Sequence, residues 1–454
     1  LRARVLLMKN IYHSDIYQFN TPVSSYWEDQ PSENLNLDKL NKDISSEIVV
    51  IGGGYTGLSC AINLIENHNL DVILVEAGKI GWGASSRNAG FCCLPPSKMS
   101  FKKMQSIYGN DETKKFFKNS VEGSNYTKDI IQEYNIDCDV TGDSNYVVAH
   151  HPNKFKDIKE QATAYKEEFG IETEIYSKED FDKIGHGGTE QFGAFSYKPG
   201  FAINPLKFVN GIAKYALSKQ LKIFEHTKVD KIDKDKGAYI LRTKEGSIRS
   251  KKIVVATNGF YQEGLIPEMN SRILPVISNI IVTRALTKQE IDQHNFKTFS
   301  PIANTKNLLY YYRKLPDNRI LFGTRGDLSG SDQSNLNMSK KMEKFLKDIF
   351  PKWKDINIDY NWRGLIALSQ KLTPSIGKID NEEIYYGFGY NGVGVSAAPW
   401  TGKQLSKLVL SNSKELDISK IYKGLPKKFI FPQLRTFYFR LAVWFYAIKD
   451  RFNV

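Results

Sequence analysis

The sequence predicts a mixed α/β fold in which a domain built on parallel strands is interrupted by a second domain. The first observation is the apolar run Ile48–Ile51, which is typical of a buried parallel strand. Directly after it, Gly52, Gly54 and Gly57 match the spacing G-x-G-x-x-G, and the apolar positions that follow have helical spacing. The strand–helix alternation of this unit later breaks down and then returns. Together these observations predict a discontinuous, Rossmann-like nucleotide-binding domain.

An acidic residue follows the second predicted strand. Asp71–Val75 is that strand, and Glu76 closes it nineteen positions after Gly57. A carboxylate at this place can accept hydrogen bonds from the ribose hydroxyls of an adenosine, and it would repel the extra phosphate of NADP. We therefore expect a dinucleotide other than NADP at this turn.

A glycine-rich loop, Gly81–Gly90, comes next along the chain. Small residues surround Arg87 and Asn88, as a loop held close to a ligand requires. Ser85 and the backbone N–H groups can bond phosphate or a sugar-like chain, and Arg87 can offset phosphate charge.

The middle of the chain alternates between helical and strand patterns. Residues 1–45 form a polar arm that Tyr26 and Trp27 are expected to pin to the body. Helices are predicted at about 101–135, 153–169 and 206–215, and strands at 145–149, 192–197, 222–224, 227–232, 239–243, 253–259, 273–278, 280–284, 308–313 and 320–323. The hairpin of the last two strands is expected to form a wall of a substrate pocket.

A second glycine-rich turn lies near the end of the chain. The strand that begins at Ile384 ends in closely spaced glycines, and a helix follows at about 397–410. This predicts a second helix N-terminus that points at an electron-rich group, far in sequence from the first one.

The composition is that of an ordinary globular protein of 454 residues, with 41% hydrophobic and 25% charged residues. The net charge of +13 comes from scattered lysines rather than a basic block, so we expect no nucleic-acid partner. Four cysteines without a C-x-x-C pair fit a reducing cytoplasm and predict no metal site. No stretch has the roughly eighteen apolar residues of a spanning helix. Residues 1–7 precede Met8, a candidate natural start.

These motifs, in this order, resemble the D-amino-acid/glycine oxidase (DAO) family. The early Ser25-Tyr26-Trp27 and the overall order resemble its gamma-glutamylputrescine oxidoreductase branch. The resemblance rests on Gly52–Gly57 with Glu76, Gly83–Gly90, Asn204-Pro205, Ala256–Gly259 and Gly389-Tyr390-Asn391-Gly392-Val393-Gly394.

The resemblance implies an α/β plus α+β fold class, in which a discontinuous Rossmann-like FAD-binding domain is joined to a substrate domain built on a mostly antiparallel sheet. The expected domains are an N-terminal arm (1–45), an FAD-binding domain (46–100, 200–265 and 355–412), a substrate domain (101–199 and 266–354) and a C-terminal apolar and basic tail helix (413–454).

FAD is the implied cofactor, and the expected attachment is non-covalent. No cysteine follows Cys138, and Arg87-Asn88 occupy the region in which some relatives carry the attaching histidine. The expected cofactor-binding residues are Gly52, Gly54, Tyr55, Thr56, Gly57, Glu76, Ala77, Gly83, Ala84, Ser85, Arg87, Asn88, Ala89, Gly90, Val229, Ala256, Thr257, Gly364, Gly389, Asn391, Gly392, Val393, Gly394 and Val395.

The implied reaction is oxidation of the C–N bond of a small amine or amino acid. A hydride equivalent passes to flavin N5, and the imine hydrolyses to an aldehyde or keto acid. Tyr312, Arg313 and Trp362 are the expected substrate-orienting residues, because a guanidinium can clamp a carboxylate or phosphonate. The electron acceptor is expected to be O2 or a quinone.

The apolar and basic tail leaves a second location open. Its aromatic residues and interspersed Arg435, Arg440, Lys449 and Arg451 could lie in a membrane interface, so the expected location is cytoplasmic with peripheral contact at the inner face of the membrane. Packing on the body or on a partner subunit is the alternative, and the oligomeric state stays open. The alternative functions are a membrane-associated amine dehydrogenase, a tRNA-modifying flavoprotein and an NAD-dependent dehydrogenase.

Overall fold

A computed structural model describes residues 11–31, 34–68, 70–411 and 416–452 of the chain. Met8 and the rest of residues 1–10 of the predicted arm lie outside the described residues, as do 412–415 and 453–454 around and within the predicted tail.

The strands form two large sheets and one small one. In chain order they are β1 (Ile44–Ile51), β2 (Val72–Val75), β3 (Phe91–Cys92), β4 (Asn145–Val148), β5 (Thr173–Tyr176), β6 (Ala194–Tyr197), β7 (Phe201–Ala202), β8 (Lys222–Phe224), β9 (Lys231–Asp235), β10 (Ala238–Arg242), β11 (Ser247–Val255), β12 (Leu274–Thr283), β13 (Ile302–Asn304), β14 (Tyr311–Lys314), β15 (Ile320–Arg325), β16 (Ile358–Leu368), β17 (Ser375–Lys378) and β18 (Ile384–Phe388).

The α-helices pack around these sheets. In chain order they are α1 (Tyr55–His68), α2 (Ala84–Arg87), α3 (Phe101–Tyr108), α4 (Asn110–Glu133), α5 (Pro152–Phe169), α6 (Lys178–Ile184), α7 (Pro205–Ser218), α8 (Lys288–Gln293), α9 (Asp332–Ile349), α10 (Gly394–Leu410) and α11 (Arg435–Phe452).

The first sheet is the predicted nucleotide-binding sheet. Its order is β17-β18-β11-β1-β2-β8, and the pairs β18/β11, β11/β1, β1/β2 and β2/β8 are parallel. Val49 and Val50 of β1 are fully buried, because helices and loops cover both faces. The prediction of a buried parallel strand before the glycine turn is therefore confirmed.

The second sheet has the order β16-β12-β15-β14-β13-β4-β6-β5, and of these pairs only β13/β4 is parallel. The two strands predicted at 273–278 and 280–284 form the single strand β12. Strand β16 pairs with β12 from Leu368 to Ile358, although 355–412 were all expected in the FAD-binding domain. We therefore propose that the boundary between the two domains follows Leu368.

Two other predicted elements differ from the structure. The strand predicted at 227–232 begins only at Lys231, because residues 227–229 turn towards a cavity instead. The tail is an α-helix only from Arg435, since Ile418, Ile421 and Tyr422 before it are buried in the core.

Helices α1 and α10 pack closely, and this contact brings the two predicted helix N-termini together. Ser59 of α1 donates a hydrogen bond to the carbonyl of Pro399 at 2.8 Å. The hydroxyls of Thr56 and Tyr390 are 2.6 Å apart. A Cβ at Gly402 would overlap the carbonyl oxygen of Thr56 and would lie 2.8 Å from the backbone nitrogen of Cys60. The close approach of these helices therefore requires glycine at position 402.

We expect Gly402→Ala to lower the free energy of unfolding by about 1–3 kcal/mol, since the added methyl group meets backbone atoms that cannot move aside. A glycine-to-alanine change inside a helix otherwise stabilises by up to about 1 kcal/mol. Thermal and urea unfolding of the holoprotein measure the difference, with Lys407→Ala, at an exposed site of the same helix, as the control. An unchanged or raised stability of Gly402→Ala would contradict the packing.

Candidate functional site

A cavity extends from the glycine turn after β1 to strands β14 and β15 of the second sheet. Most of the predicted cofactor-binding residues line it. They are Gly52, Gly54, Tyr55, Thr56, Glu76, Ala77, Gly83, Ala84, Ser85, Arg87, Asn88, Ala89, Val229, Ala256, Thr257, Gly364, Asn391, Gly392, Val393, Gly394 and Val395.

Three predicted residues, Gly57, Gly90 and Gly389, do not line the cavity, and each packs closely against or bonds to another segment. A Cβ at Gly57 would overlap the carbonyl oxygen of Gly52, so this glycine lets α1 pack against the turn. A Cβ at Gly90 would overlap the carbonyl oxygen of Ile203 in the same way. Gly389 has φ +85° and donates its N–H to Asn258 at 2.9 Å.

The glycine turn and the start of α1 line one side of the cavity. Gly52 has φ +111°, a conformation that L side chains rarely adopt, and a Cβ there would lie 2.8 Å from the carbonyl oxygen of Ala256. Helix α1 begins at Tyr55, whose N–H donates to the Ser85 hydroxyl at 3.1 Å. The N-terminus of α1 and the loop that carries Ser85 therefore form one polar wall, as binding of a pyrophosphate requires.

Glu76 lies at the end of β2 and borders the cavity. Its two carboxylate oxygens accept hydrogen bonds from the N–H of Gly53 at 2.8 Å and of Gly78 at 2.9 Å. Burial raises the pKa of this carboxyl, and the two N–H groups oppose the rise. Each oxygen keeps a free lone pair, so Glu76 can also accept hydrogen bonds from ribose hydroxyls.

Arg87 and Asn88 hold the glycine-rich loop in place. The Arg87 guanidinium donates to the carbonyls of Trp82 at 2.7 Å and Arg363 at 3.2 Å, and it lies 4.0 Å from the Trp82 ring centre. Burial lowers its pKa to about 9. Asn88 donates to the carbonyls of Ala84 and Ser85, both at 3.0 Å. Both residues line the cavity, but most of their hydrogen bonds serve the protein.

The second glycine turn leads into α10. Asn391 has φ +55° and Gly392 φ +93°, and α10 begins at Gly394. The Asn391 amide donates to the carbonyls of Gly389 at 2.6 Å and Pro96 at 3.2 Å, but its buried oxygen has no partner. The buried hydroxyl of Thr257, which also borders the cavity, likewise has none. Buried polar atoms are normally satisfied, so these two fit hydrogen bonds to a bound cofactor.

Two cations face the part of the cavity beyond this turn. A guanidinium nitrogen of Arg325 lies 3.3 Å from the point that a Cβ of Gly392 would occupy. Protein atoms surround the Lys98 ammonium group, although its side chain keeps accessible surface because it borders the cavity. Burial, and then repulsion by Arg325, lowers the pKa of Lys98 to about 7. Burial also lowers the pKa of Arg325. Across the described ranges, neither cation has an ion-pair partner.

Tyr311 stands beside Arg325 in this region. Its hydroxyl lies 2.9 Å from that of Ser278, and its ring occupies the space over Gly323, where a Cβ would overlap it. The sequence analysis missed Lys98, Ser278, Tyr311 and Arg325. The structure pairs Tyr311 with Gly323, which leaves space for the tyrosine ring.

The predicted substrate-orienting residues lie outside the cavity. Tyr312 is 1% exposed, and its hydroxyl is 2.8 Å from Nε2 of His186 in an aromatic cluster. Arg313 donates to the carbonyl of Ile203 at 2.7 Å, and Trp362 donates to the carbonyl of Arg87 at 2.9 Å. Neighbours on a strand face opposite sides, so Tyr311 rather than Tyr312 faces the cavity. The choice of these three residues is corrected accordingly, and Tyr311, Lys98 and Arg325 replace them below.

The N-terminal arm also reaches the cavity, which the sequence did not indicate. Phe19 lines it and packs against Trp82, with ring centres 4.7 Å apart. The Trp82 indole donates to the carbonyl of Thr21 at 2.8 Å. The predicted anchoring role of Tyr26 and Trp27 agrees with their burial at 4% and 2% exposure.

The described residues show neither a metal centre nor a membrane-spanning helix. They contain no group of three or more His, Cys, Asp or Glu side chains arranged to hold a metal ion. No helix within them is both long enough and apolar enough to cross a membrane.

Comparison with known proteins gives matches over nearly the whole chain. The model of the family described as "DAO: FAD dependent oxidoreductase" matches residues 47–408. The chain is similar to gamma-glutamylputrescine oxidoreductase of Escherichia coli (strain K12), with 29% identity over 436 residues, 95% of this chain and 99% of the relative. Glycine oxidase of Bacillus subtilis (strain 168) shares 24% identity over 388 residues, 82% of this chain and 95% of the relative.

Among solved structures, glycine oxidase from Geobacillus kaustophilus matches with a TM-score of 0.68 at 17% identity, covering 85% of this chain and 99% of that chain. These matches confirm the predicted fold class and FAD as the cofactor. Because the family uses FAD, the alternative of an NAD-dependent dehydrogenase is not supported.

We expect Glu76→Gln to weaken FAD binding by about 10- to 100-fold, because a hydrogen bond to a charged group contributes about 1.5–3 kcal/mol. The NH2 group of the glutamine side chain cannot accept a hydrogen bond, either from the N–H groups of the turn or from the ribose hydroxyls. Titration of apoprotein with FAD, followed by quenching of flavin fluorescence, gives the Kd. Glu66→Ala, at the far end of α1, is the control, and equal affinity of Glu76→Gln and wild type would contradict the assignment.

Proposed function

Because the chain belongs to the DAO family of FAD-dependent oxidoreductases, we propose that it oxidises the C–N bond of a small amine or amino acid that carries an anionic group. Its class, an FAD-dependent amine or amino-acid oxidoreductase, follows from the family and from its similarity to named enzymes. The anionic group is the finer part of the proposal. The observation that carries it is the pair of unpaired cations, Lys98 and Arg325, at the substrate side of the cavity.

Holding two cations close together in a cavity without a counterion is unfavourable, because the two positive charges repel each other. An anionic group bound between them would offset that repulsion. Arg325 offers a planar fork that matches a carboxylate or phosphonate, and Lys98 offers a point charge. Such a ligand would also raise the pKa of Lys98 from about 7, so binding would be accompanied by proton uptake near neutral pH.

The residues of this chain orient the reactants rather than transfer protons. Bound FAD supplies the acceptor for a hydride equivalent that leaves the carbon of a neutral amine, and the released imine then hydrolyses to an aldehyde or keto acid. The N-terminus of α10, at Gly394 and Val395, lines the cavity and favours negative charge there. Tyr311, held by Ser278, closes the side next to Arg325.

We also propose that FAD is held without a covalent bond. Cys93 is the one cysteine that lines the cavity within the described ranges, and burial raises the pKa of its thiol to about 12. A thiol that stays protonated at neutral pH is a poor nucleophile, so it is not suited to attachment.

The proposed electron acceptor is O2 or a quinone, and the two differ in product. Release of hydrogen peroxide under air would favour O2. Reduction of a quinone analogue without peroxide would favour a dehydrogenase.

Anaerobic mixing of the holoenzyme with candidate substrates tests this function. We expect bleaching of the flavin by one or more of D-amino acids, N-methyl amino acids, taurine and aminophosphonates. Arg325→Gln should raise the Kd for that compound by about 10- to 100-fold, because it removes charged hydrogen bonds. Arg249→Gln, in an exposed ion pair with Asp235, is the matched control.

Two outcomes would contradict different parts of the proposal. A flavin that dithionite reduces but that none of these compounds or polyamines reduces would contradict the C–N reaction. Reduction by polyamines alone, with the same Kd in wild type and Arg325→Gln, would contradict only the anionic group.

A further inference from the structure

Helix α11 is fastened to the body at both of its ends. At its start, Arg435 pairs with Glu263 at 2.7 Å and donates to the carbonyl of Ile273 at the same distance. Arg435 and Glu263 are both buried. Near its end, the Asp450 carboxylate accepts hydrogen bonds from the backbone N–H groups of Asn307 and Leu308, each at 2.8 Å. These contacts hold both ends of the helix at the body, and the residues between them are half-buried or exposed.

The outward face of α11 and the turn before it is apolar. Its exposed residues, with their exposed fractions, are Ile430 (72%), Phe431 (65%), Leu434 (44%), Phe437 (53%), Tyr438 (39%), Leu441 (49%), Trp444 (65%), Phe445 (50%) and Ile448 (37%). Tyr446 (41%) is exposed on another side of the helix. Elsewhere in the described ranges, exposed large apolar residues are single and scattered. A contiguous surface of this kind marks an interaction site rather than ordinary surface variation.

The charges around this face are positive. Arg440 and Arg451 are exposed on α11, and Lys427 and Lys428 are exposed just before it. The carboxylate of Asp450, an acidic residue of the helix, already accepts hydrogen bonds from the backbone N–H groups of Asn307 and Leu308. The Lys449 ammonium lies 5.1 Å from the Phe445 ring centre, so its stem runs along the apolar face and its charge reaches the edge.

Aromatic residues with an apolar body and a polar tip, flanked by Arg and Lys, are typical of helices that lie in the interface of an anionic membrane. We infer that the exposed face of α11 and of residues 430–434 docks on the surface of a bilayer that contains anionic lipid. The inference is independent of the reaction. It also places the loop of Asn307 and Leu308, which leads to the cavity residue Leu309, next to the membrane.

Trp444 makes the docking directly measurable. The other five tryptophans, Trp27, Trp82, Trp353, Trp362 and Trp400, are at most 7% exposed. Quenching of the holoprotein's fluorescence by vesicles of brominated lipid with phosphatidylglycerol therefore reports on Trp444. We expect quenching of wild type and its loss in Trp444→Phe, while Trp444→Phe still floats with the vesicles.

Flotation with vesicles of phosphatidylcholine, with and without phosphatidylglycerol, tests the surface itself. We expect wild type to bind the anionic vesicles, and the triple variant Phe437→Ser/Leu441→Ser/Trp444→Ser to bind them at least tenfold more weakly. Ile107→Ser/Leu336→Ser, which removes exposed apolar residues elsewhere, should bind like wild type. Arg440→Gln/Lys449→Gln/Arg451→Gln should lose the preference for anionic over neutral vesicles. Unchanged FAD content and melting temperature show that each variant is folded.

Three results would overturn the inference. The first is a wild type that floats with neither vesicle, and the second is a triple variant that floats as wild type does. The third is a wild-type dimer that the triple variant converts to a monomer without any vesicle binding, because the face would then join two copies of this chain. Wild type that stays monomeric and floats only with anionic vesicles is the expected result.

Discussion

The site depends on one contact, the close packing of α1 against α10. Gly402 allows α10 to approach the backbone of Thr56, and the hydroxyl pair of Thr56 and Tyr390 joins the two turns directly. Both helices then begin at the same cavity, although their N-termini are more than 300 positions apart in sequence. Because each helix N-terminus favours negative charge, their convergence creates a region suited to a pyrophosphate at one turn and to an electron-accepting ring at the other.

The second sheet completes the cavity from the opposite side. Its strands β14 and β15 place Tyr311 and Arg325 towards the turn at Gly392, and β16 carries Gly364 against Arg87. We propose that the turns of the parallel sheet supply most of the residues for the cofactor. Arg325 of the antiparallel sheet and Lys98 of a loop carry the positive charge that we propose for the substrate. The arm residue Phe19 closes the end near Glu76.

The part of the cavity lining at the two glycine turns was predictable from sequence because its requirements are local. The first turn needs glycine at position 52, and the second needs glycine at position 392. Each turn, and the acidic residue Glu76 after β2, leaves a signature in a short stretch of chain. The substrate side depends on tertiary arrangement. The sequence analysis assigned the wrong face of β14 to the cavity, so it chose Tyr312 instead of its neighbour Tyr311. Lys98 lies in a loop that has no periodic pattern, and it is far in sequence from Arg325. Strand β16 was not among the predicted strands, although Ile358–Arg363 alternates apolar and polar residues. Its place in the second sheet became visible only through its pairing with β12.

The absorbance spectrum of the purified protein, recorded before and after acid precipitation, tests most directly whether the two helix N-termini hold one FAD. The account predicts a flavin spectrum in the native protein and complete transfer of the yellow colour to the supernatant after precipitation. Colour that stays in the pellet would contradict the non-covalent site. Protein that is colourless and stays so after incubation with FAD would contradict the central claim itself.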